Sequence, residues 1–133
     1  MESQFAFLCA GVTQEAEAAG GGLTAKGFPI PTILITGTTP EIPPMTLVFG
    51  FTYSIDESGL KAIELRLLGP DGTVAAARDM YQFMGPPAGD RRMFNLVLDT
   101  LDVTIDEFGE YEFGLHVGYE LVATVPFTVV QQD

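Results

Sequence analysis

The stretch "DEFGEYEFGLHVGYELVATVPFTVV", residues 106–130, decides the fold. From Tyr111 onward, apolar residues occupy every second position, which is the periodicity of a strand with one buried face. Gly118-Tyr119 is expected to close a tight hairpin into a second apolar strand. Pro126 cannot donate to a ladder, so we predict that this last strand is an edge strand or is bulged.

Tyr111 stands two residues after Gly109 and two before the inward-facing Phe113. In immunoglobulin-like sandwiches, a tyrosine at the E–F corner bonds back to upstream backbone, two residues before an inward cysteine. "DEFGEYEF" resembles that corner, with Phe108 as its apolar residue and Phe113 in the cysteine position. Gly109 permits the backbone turn, and the Tyr111 hydroxyl would satisfy a buried carbonyl. The resemblance implies an immunoglobulin-like sandwich. The chain has no tryptophan for the core of such a domain and only one cysteine, so side-chain packing must take the place of the disulfide.

The rest of the chain also favours strands. "MTLVFGFTYSI", residues 45–55, alternates over eleven residues, and residues 61–77 form a hairpin that turns at Gly69–Gly72. Residues 13–19 could form a short helical turn, and residues 73–83 fit either a strand or a helix. We predict a single domain, residues 1–133, that is an all-β, two-sheet antiparallel sandwich with about seven to nine strands and little helix. The predicted strands are residues 4–11, 23–27, 30–36, 45–55, 61–68, 73–81, 93–99, 110–117 and 120–130.

A second resemblance spans most of the chain. "FAFLCAG" at residues 5–11, "GLTAKGF" at residues 22–28, and the closing "GEYEFGLHV" and "ELVATVPFTVV" segments are similar to an uncharacterised family of short bacterial proteins, a domain of unknown function. This resemblance implies a small bacterial sandwich. It implies no catalytic residue.

Charge excludes several classes of partner. The formal net charge is −12, and all six lysines and arginines lie before Met93. Because nucleic acid and anionic lipid both require a cationic face, we predict no nucleic-acid binding and no membrane binding. The N-terminus has an acidic start, unlike a secretory signal, and no apolar run is long enough for a membrane helix, so a cytoplasmic protein is expected.

Few residues could carry catalytic chemistry. Cys9 and His116 are the only cysteine and the only histidine, which disfavours a triad, a histidine-based metal site and a multi-cysteine zinc site. Cys9 lies among apolar neighbours and is expected to be a small buried hydrophobe. His116 is expected on the surface, on the face that also carries Glu110 and Glu112. We therefore predict no enzyme and no cofactor.

Four carboxylates form the sharpest candidate site. They bracket the connection into the predicted corner, and loop carboxylates of this kind can bind calcium. They lack the alternating spacing that wraps one ion, so solvated loop carboxylates are the competing interpretation. The four residues are Asp99, Asp102, Asp106 and Glu107.

Two functions remain open at this point. The first is a non-catalytic interaction or scaffold module that binds a protein partner or itself as a homo-oligomer, because sandwich edges invite strand pairing. The second is a small-ligand or calcium-binding sandwich that uses the four carboxylates.

Overall fold

The computed structural model describes residues 1–14, 23–27, 29–36, 44–99 and 107–132, and these contain ten β-strands and one 3₁₀ turn, Ile55–Glu57. The alternating segments form strands because one side of each can be buried. Residues 73–83, whose sequence fitted either a strand or a helix, form a strand in the structure from Val74 onward. The strands are β1 (Glu2–Cys9), β2 (Gly11–Gln14), β3 (Leu23–Lys26), β4 (Thr32–Thr36), β5 (Thr46–Tyr53), β6 (Gly59–Leu68), β7 (Val74–Met84), β8 (Arg92–Asp99), β9 (Gly109–Val117) and β10 (Glu120–Gln132).

Two sheets form the sandwich. One has the strand order β1-β5-β8 and the other β4-β10-β9-β6-β7, while β2 and β3 form a separate hairpin. The chain thus crosses repeatedly between the sheets, with β5 and β8 in one and β6, β9 and β10 in the other, as in immunoglobulin-like folds. The prediction of an all-β immunoglobulin-like sandwich is confirmed, although the described residues contain ten strands where about seven to nine were predicted. One pair departs from the antiparallel pattern, since β4 runs parallel to β10.

The core lies between the two sheets. β5 contributes Phe49, Phe51 and Tyr53, which are at most 1% exposed, and β9 contributes Phe113 and Leu115 from the opposite sheet. Burying side chains of this size stabilises the fold by about 1.5–3 kcal/mol each. The inward positions predicted along β5 and β9 are buried, except that Ile55, predicted on the inward side, begins the 3₁₀ turn and is 62% exposed.

The tyrosine corner is present. The Tyr111 hydroxyl donates to the carbonyl of Glu107 at 2.5 Å, and the ring packs on Phe127 with centroids 5.8 Å apart. Gly109 has φ +140°, and a Cβ at this position would lie 3.0 Å from Cγ of Pro70. The corner therefore requires glycine both for its backbone angle and for the close approach of the neighbouring turn.

The turn between β6 and β7 forms as predicted. The Gly72 amide donates to the Gly69 carbonyl at 2.9 Å, and Gly72 has φ +82°. Asp71 accepts hydrogen bonds from the amide and the hydroxyl of Thr73, which lowers the pKa of its carboxyl.

Two sequence expectations need correction. β10 lies between β4 and β9, so the edge-strand alternative is wrong, whereas the strand is bulged, with its register shift between Leu121 and Ala123 rather than at Pro126. Pro126 is tolerated because the parallel pairing with β4 begins only at Thr128. The predicted helical turn begins inside β2, which contains Thr13, and its remainder after residue 14 lies outside the described residues.

The outer face of the three-stranded sheet is partly covered by its own side chains. The Phe5 ring lies directly over Gly50, where a Cβ would be 2.2 Å from the ring, and Phe7 lies beside it with centroids 6.0 Å apart. Val48 on the same face is 2% exposed.

No helix in the described part of the chain is long and apolar enough to span a membrane.

Candidate interaction surface

The predicted calcium ligands are only partly described. Asp99 ends β8 and is exposed, and Glu107 is exposed at the corner, where its carbonyl accepts from Tyr111. Asp102 and Asp106 lie outside the described residues. Among the residues that are described, no three carboxylate, histidine or cysteine side chains lie close enough together to hold a metal ion.

Cys9 and His116 lie far apart in the fold, on β1 and β9, which belong to different sheets. Cys9 is completely buried, as expected, and burial raises the pKa of its thiol although the Gly11 carbonyl accepts from Sγ at 3.5 Å. A thiol in this state is a poor nucleophile. His116 is half-buried on the outer face of the five-stranded sheet, together with Glu110 and Glu112.

The outer face of the five-stranded sheet carries large apolar side chains at one end. Leu60 on β6 lies directly opposite Phe83 on β7, and Ala62 lies opposite Tyr81, so these residues share one face. Tyr119 projects from the β9–β10 turn beside them, and Leu121 pairs with His116 on the same face. We call this surface the apolar patch: Leu60, Tyr81, Phe83, Tyr119 and Leu121, each more than half exposed.

A groove of about 280 Å³ borders the patch at Tyr81 and Tyr119. Its floor contains a row of polar side chains, in which Glu64 on β6 lies between Asp79 on β7 and His116 on β9. Glu64 forms a salt bridge with Arg66, while Nδ1 of His116 is buried without a hydrogen-bond partner among the described residues. The carboxylates of Glu64 and Asp79 face each other across the strands. This arrangement disfavours the binding of a further negatively charged group in the groove.

The turn that carries Tyr119 is strained. Gly118 and Tyr119 have φ +58° and +70°, so a bulky side chain occupies the left-handed region that favours glycine or asparagine. The Tyr119 side chain is 91% exposed, so no burial within the described structure offsets this strain. A strained residue with its aromatic ring in solvent is a reason to look for function at that position.

Sequence reasoning missed most of this surface. The segment that carries Tyr81 and Phe83 fitted either strand or helix, because its alanines suit both. Assigned as a strand, its alternation would have placed Asp79, Tyr81 and Phe83 on one face. Their proximity to Leu60 and Tyr119 depends on the register of β6 with its two neighbours, which the local sequence does not contain.

Comparisons with other proteins give a family and similar solved structures. A family model described as "Family of unknown function (DUF6941)" matches residues 4–130. An immunoglobulin-like protein from Pseudomonas aeruginosa is similar over 95% of this chain and 97% of its own, at 14% identity and a TM-score of 0.33. No curated protein sequence matches the chain.

Proposed function

The chain belongs to this family of unknown function, and we propose that it is a non-catalytic interaction module that self-associates through the apolar patch. The observation that carries the proposal is the concentration of five large exposed apolar side chains at one end of one sheet face. Exposed apolar surface of this kind marks interaction sites, and tyrosine and phenylalanine are enriched in them.

The strained turn supports the same assignment. Tyr119 would be replaced at lower cost by asparagine or glycine, because neither has a bulky side chain in the left-handed region. An exposed tyrosine provides a large contact area with few rotatable bonds, which suits an interface.

The composition is consistent with an additional buried interface. Hydrophobic residues make up 47% of the chain and the mean hydropathy is +0.26, although the net charge is −12. The patch contains no charged residue, so two patches can meet without placing like charges in direct contact.

The chemistry of Cys9 supports a non-catalytic role. Cys9 is the only thiol and is buried with a raised pKa, which keeps it protonated and unreactive. A single reduced cysteine also fits a reducing compartment, and we propose a cytoplasmic location on that basis.

The test is sedimentation velocity over a concentration series from micromolar to millimolar. We expect concentration-dependent dimerisation of the unmodified protein. Phe83→Ser is expected to weaken dimerisation about tenfold or more, because losing the burial of one phenylalanine corresponds to at least about 1.4 kcal/mol.

Leu34→Ser is the matched control. Leu34 is 58% exposed and Phe83 is 63% exposed, and they lie on β4 and β7, the two opposite edges of the same sheet. The control is expected to dimerise like the unmodified protein. A protein that remains monomeric at millimolar concentration, or a larger loss with Leu34→Ser, would contradict the proposal.

A further inference from the structure

We propose that two copies join edge to edge through β7, antiparallel, with a two-fold axis at Met80, so that two five-stranded sheets become one continuous sheet. This inference depends on the proposed self-association and specifies its geometry at the β7 side of the apolar patch, where Tyr81 and Phe83 lie. Residues 76–84 of each copy would pair with the same residues of the other.

β7 has the features of an accessible edge. Among the described strands it pairs only with β6, and with eleven residues it is longer than β1, β4 and β8, which also lie at sheet edges. It contains no proline and no lysine, and the one register shift in its pairing lies at its start, opposite Leu67 and Leu68. Natural edge strands use proline, bulges and charged side chains to prevent pairing. Arg78 and Asp79 are the charged residues of β7, and the rest of the strand has none of these devices, so most of its backbone groups are open to a partner strand.

Charge selects the register. In a symmetric antiparallel pair the residue on the axis faces its own copy, and like charges placed opposite each other are destabilising. An axis at Arg78 would oppose two arginines, and an axis at Asp79 would oppose two aspartates. An axis at Met80 opposes two methionines and places Asp79 opposite Tyr81, so no like charges face each other.

An unsatisfied donor supports the same register. Nε of Arg78 is buried and has no hydrogen-bond partner among the described residues. With the axis at Met80, Arg78 lies opposite Gln82 of the second copy, so an outward turn of the Arg78 side chain would bring this donor to the Gln82 amide oxygen. The Gln82 amide nitrogen already donates to the Phe83 carbonyl at 3.0 Å, which leaves that oxygen available. An axis at Tyr81 would instead place Arg78 opposite Met84, which offers no comparable acceptor.

Side-chain size fits as well. The first half of β7 carries alanines at 75–77, and its second half carries Tyr81 and Phe83. Antiparallel pairing about Met80 places Phe83 of each copy opposite Ala77 of the other. The Phe83 ring of one copy can then pack over Ala77 of the other. This contact covers part of the apolar patch on both copies.

The first experiment is amide hydrogen exchange of the unmodified protein at concentrations below and above the dimerisation midpoint. We expect amides in residues 76–84 to exchange about tenfold more slowly in the dimer, because edge amides that faced water become hydrogen-bonded. The edge strands β1 and β8 should exchange equally at both concentrations. Dimerisation without new protection in β7 would overturn this inference and leave the proposed self-association standing, whereas a chain that never dimerises would remove both.

The second experiment tests the register with single cysteines. Met80→Cys is expected to form a disulfide-linked dimer on oxidation, since directly opposite residues lie at disulfide distance. Asp79→Cys and Tyr81→Cys are expected to cross-link when mixed and several-fold less when oxidised alone, because each would face its own copy only diagonally. Buried Cys9 is present in all three variants and serves as a constant background. Efficient cross-linking of either Asp79→Cys or Tyr81→Cys by itself would overturn the register.

Discussion

At the residue scale, two tyrosines fasten loops to the core by the same chemistry. Tyr111 donates to the Glu107 carbonyl at the corner, and Tyr53 donates to the Gly85 carbonyl between β7 and β8, both at 2.5 Å. Both rings are nearly completely buried, so each hydroxyl is the polar end of an apolar anchor. The loops between the strands are thereby tied to the core.

The first prediction concerns Tyr111. Tyr111→Phe is expected to lower the free energy of unfolding by about 1–3 kcal/mol, because the partly buried hydrogen bond to the Glu107 carbonyl is lost while the ring still packs. Urea denaturation followed by fluorescence or circular dichroism measures the change.

Tyr81→Phe is the matched control for that experiment. Its side chain is 74% exposed, so removing the hydroxyl should change stability by no more than about 0.5 kcal/mol. Equal stability of Tyr111→Phe and the unmodified protein would show that the corner hydrogen bond contributes nothing measurable.

At the element scale, the 3₁₀ turn Ile55–Glu57 connects β5 to β6. It also contacts the start of the chain, just before β1. The Glu57 carboxylate forms an ion pair with the Met1 ammonium and accepts from the amide of Ser54 at 3.1 Å and its hydroxyl at 3.2 Å. The Met1 ammonium beside it and the Ser54 donors hold the pKa of Glu57 below its ordinary value of 4.5. One carboxylate thus caps the turn and holds the start of β1.

A pH dependence follows from this depressed pKa. Ionised Glu57 stabilises the folded state above its ordinary pKa, and that contribution is lost as the pH falls through the lower pKa of the folded state. Glu57→Gln is expected to cost on the order of 1 kcal/mol at pH 7. The difference from the unmodified protein should shrink as the pH falls below about 4.5.

Denaturation at a series of pH values, with Met1 as the first residue, checks this prediction. Asp56→Asn is the control, because it removes the same charge from the neighbouring exposed residue of the same turn. A Glu57→Gln difference that stays constant from pH 7 to pH 3 would contradict the assigned role.

At the scale of the whole molecule, the net charge of −12 opposes the proposed self-association. Two copies repel each other over long distances, whereas contact between apolar patches acts only at short range. Salt screens the repulsion over a Debye length of about 10 Å at 0.1 M and leaves the apolar contact intact.

Salt should therefore strengthen association. We expect the dimer dissociation constant to fall several-fold between about 20 mM and about 500 mM sodium chloride, measured by sedimentation equilibrium. Sodium sulfate at matched ionic strength should strengthen association further, since it also favours apolar burial. A dissociation constant that rises with sodium chloride would show instead that attractive charge pairs hold the copies together.

The sequence by itself determined the fold class and the tyrosine corner. Alternation along β5 and β9 requires two buried faces, and the spacing of Gly109, Tyr111 and Phe113 encodes the corner within a few residues, so both are local properties. The candidate surface was decided by tertiary structure. Its residues come from β6, β7 and the β9–β10 turn, and only the register between these strands places Tyr119 beside Tyr81. Register depends on long-range pairing and on core packing, which no short segment of the chain contains.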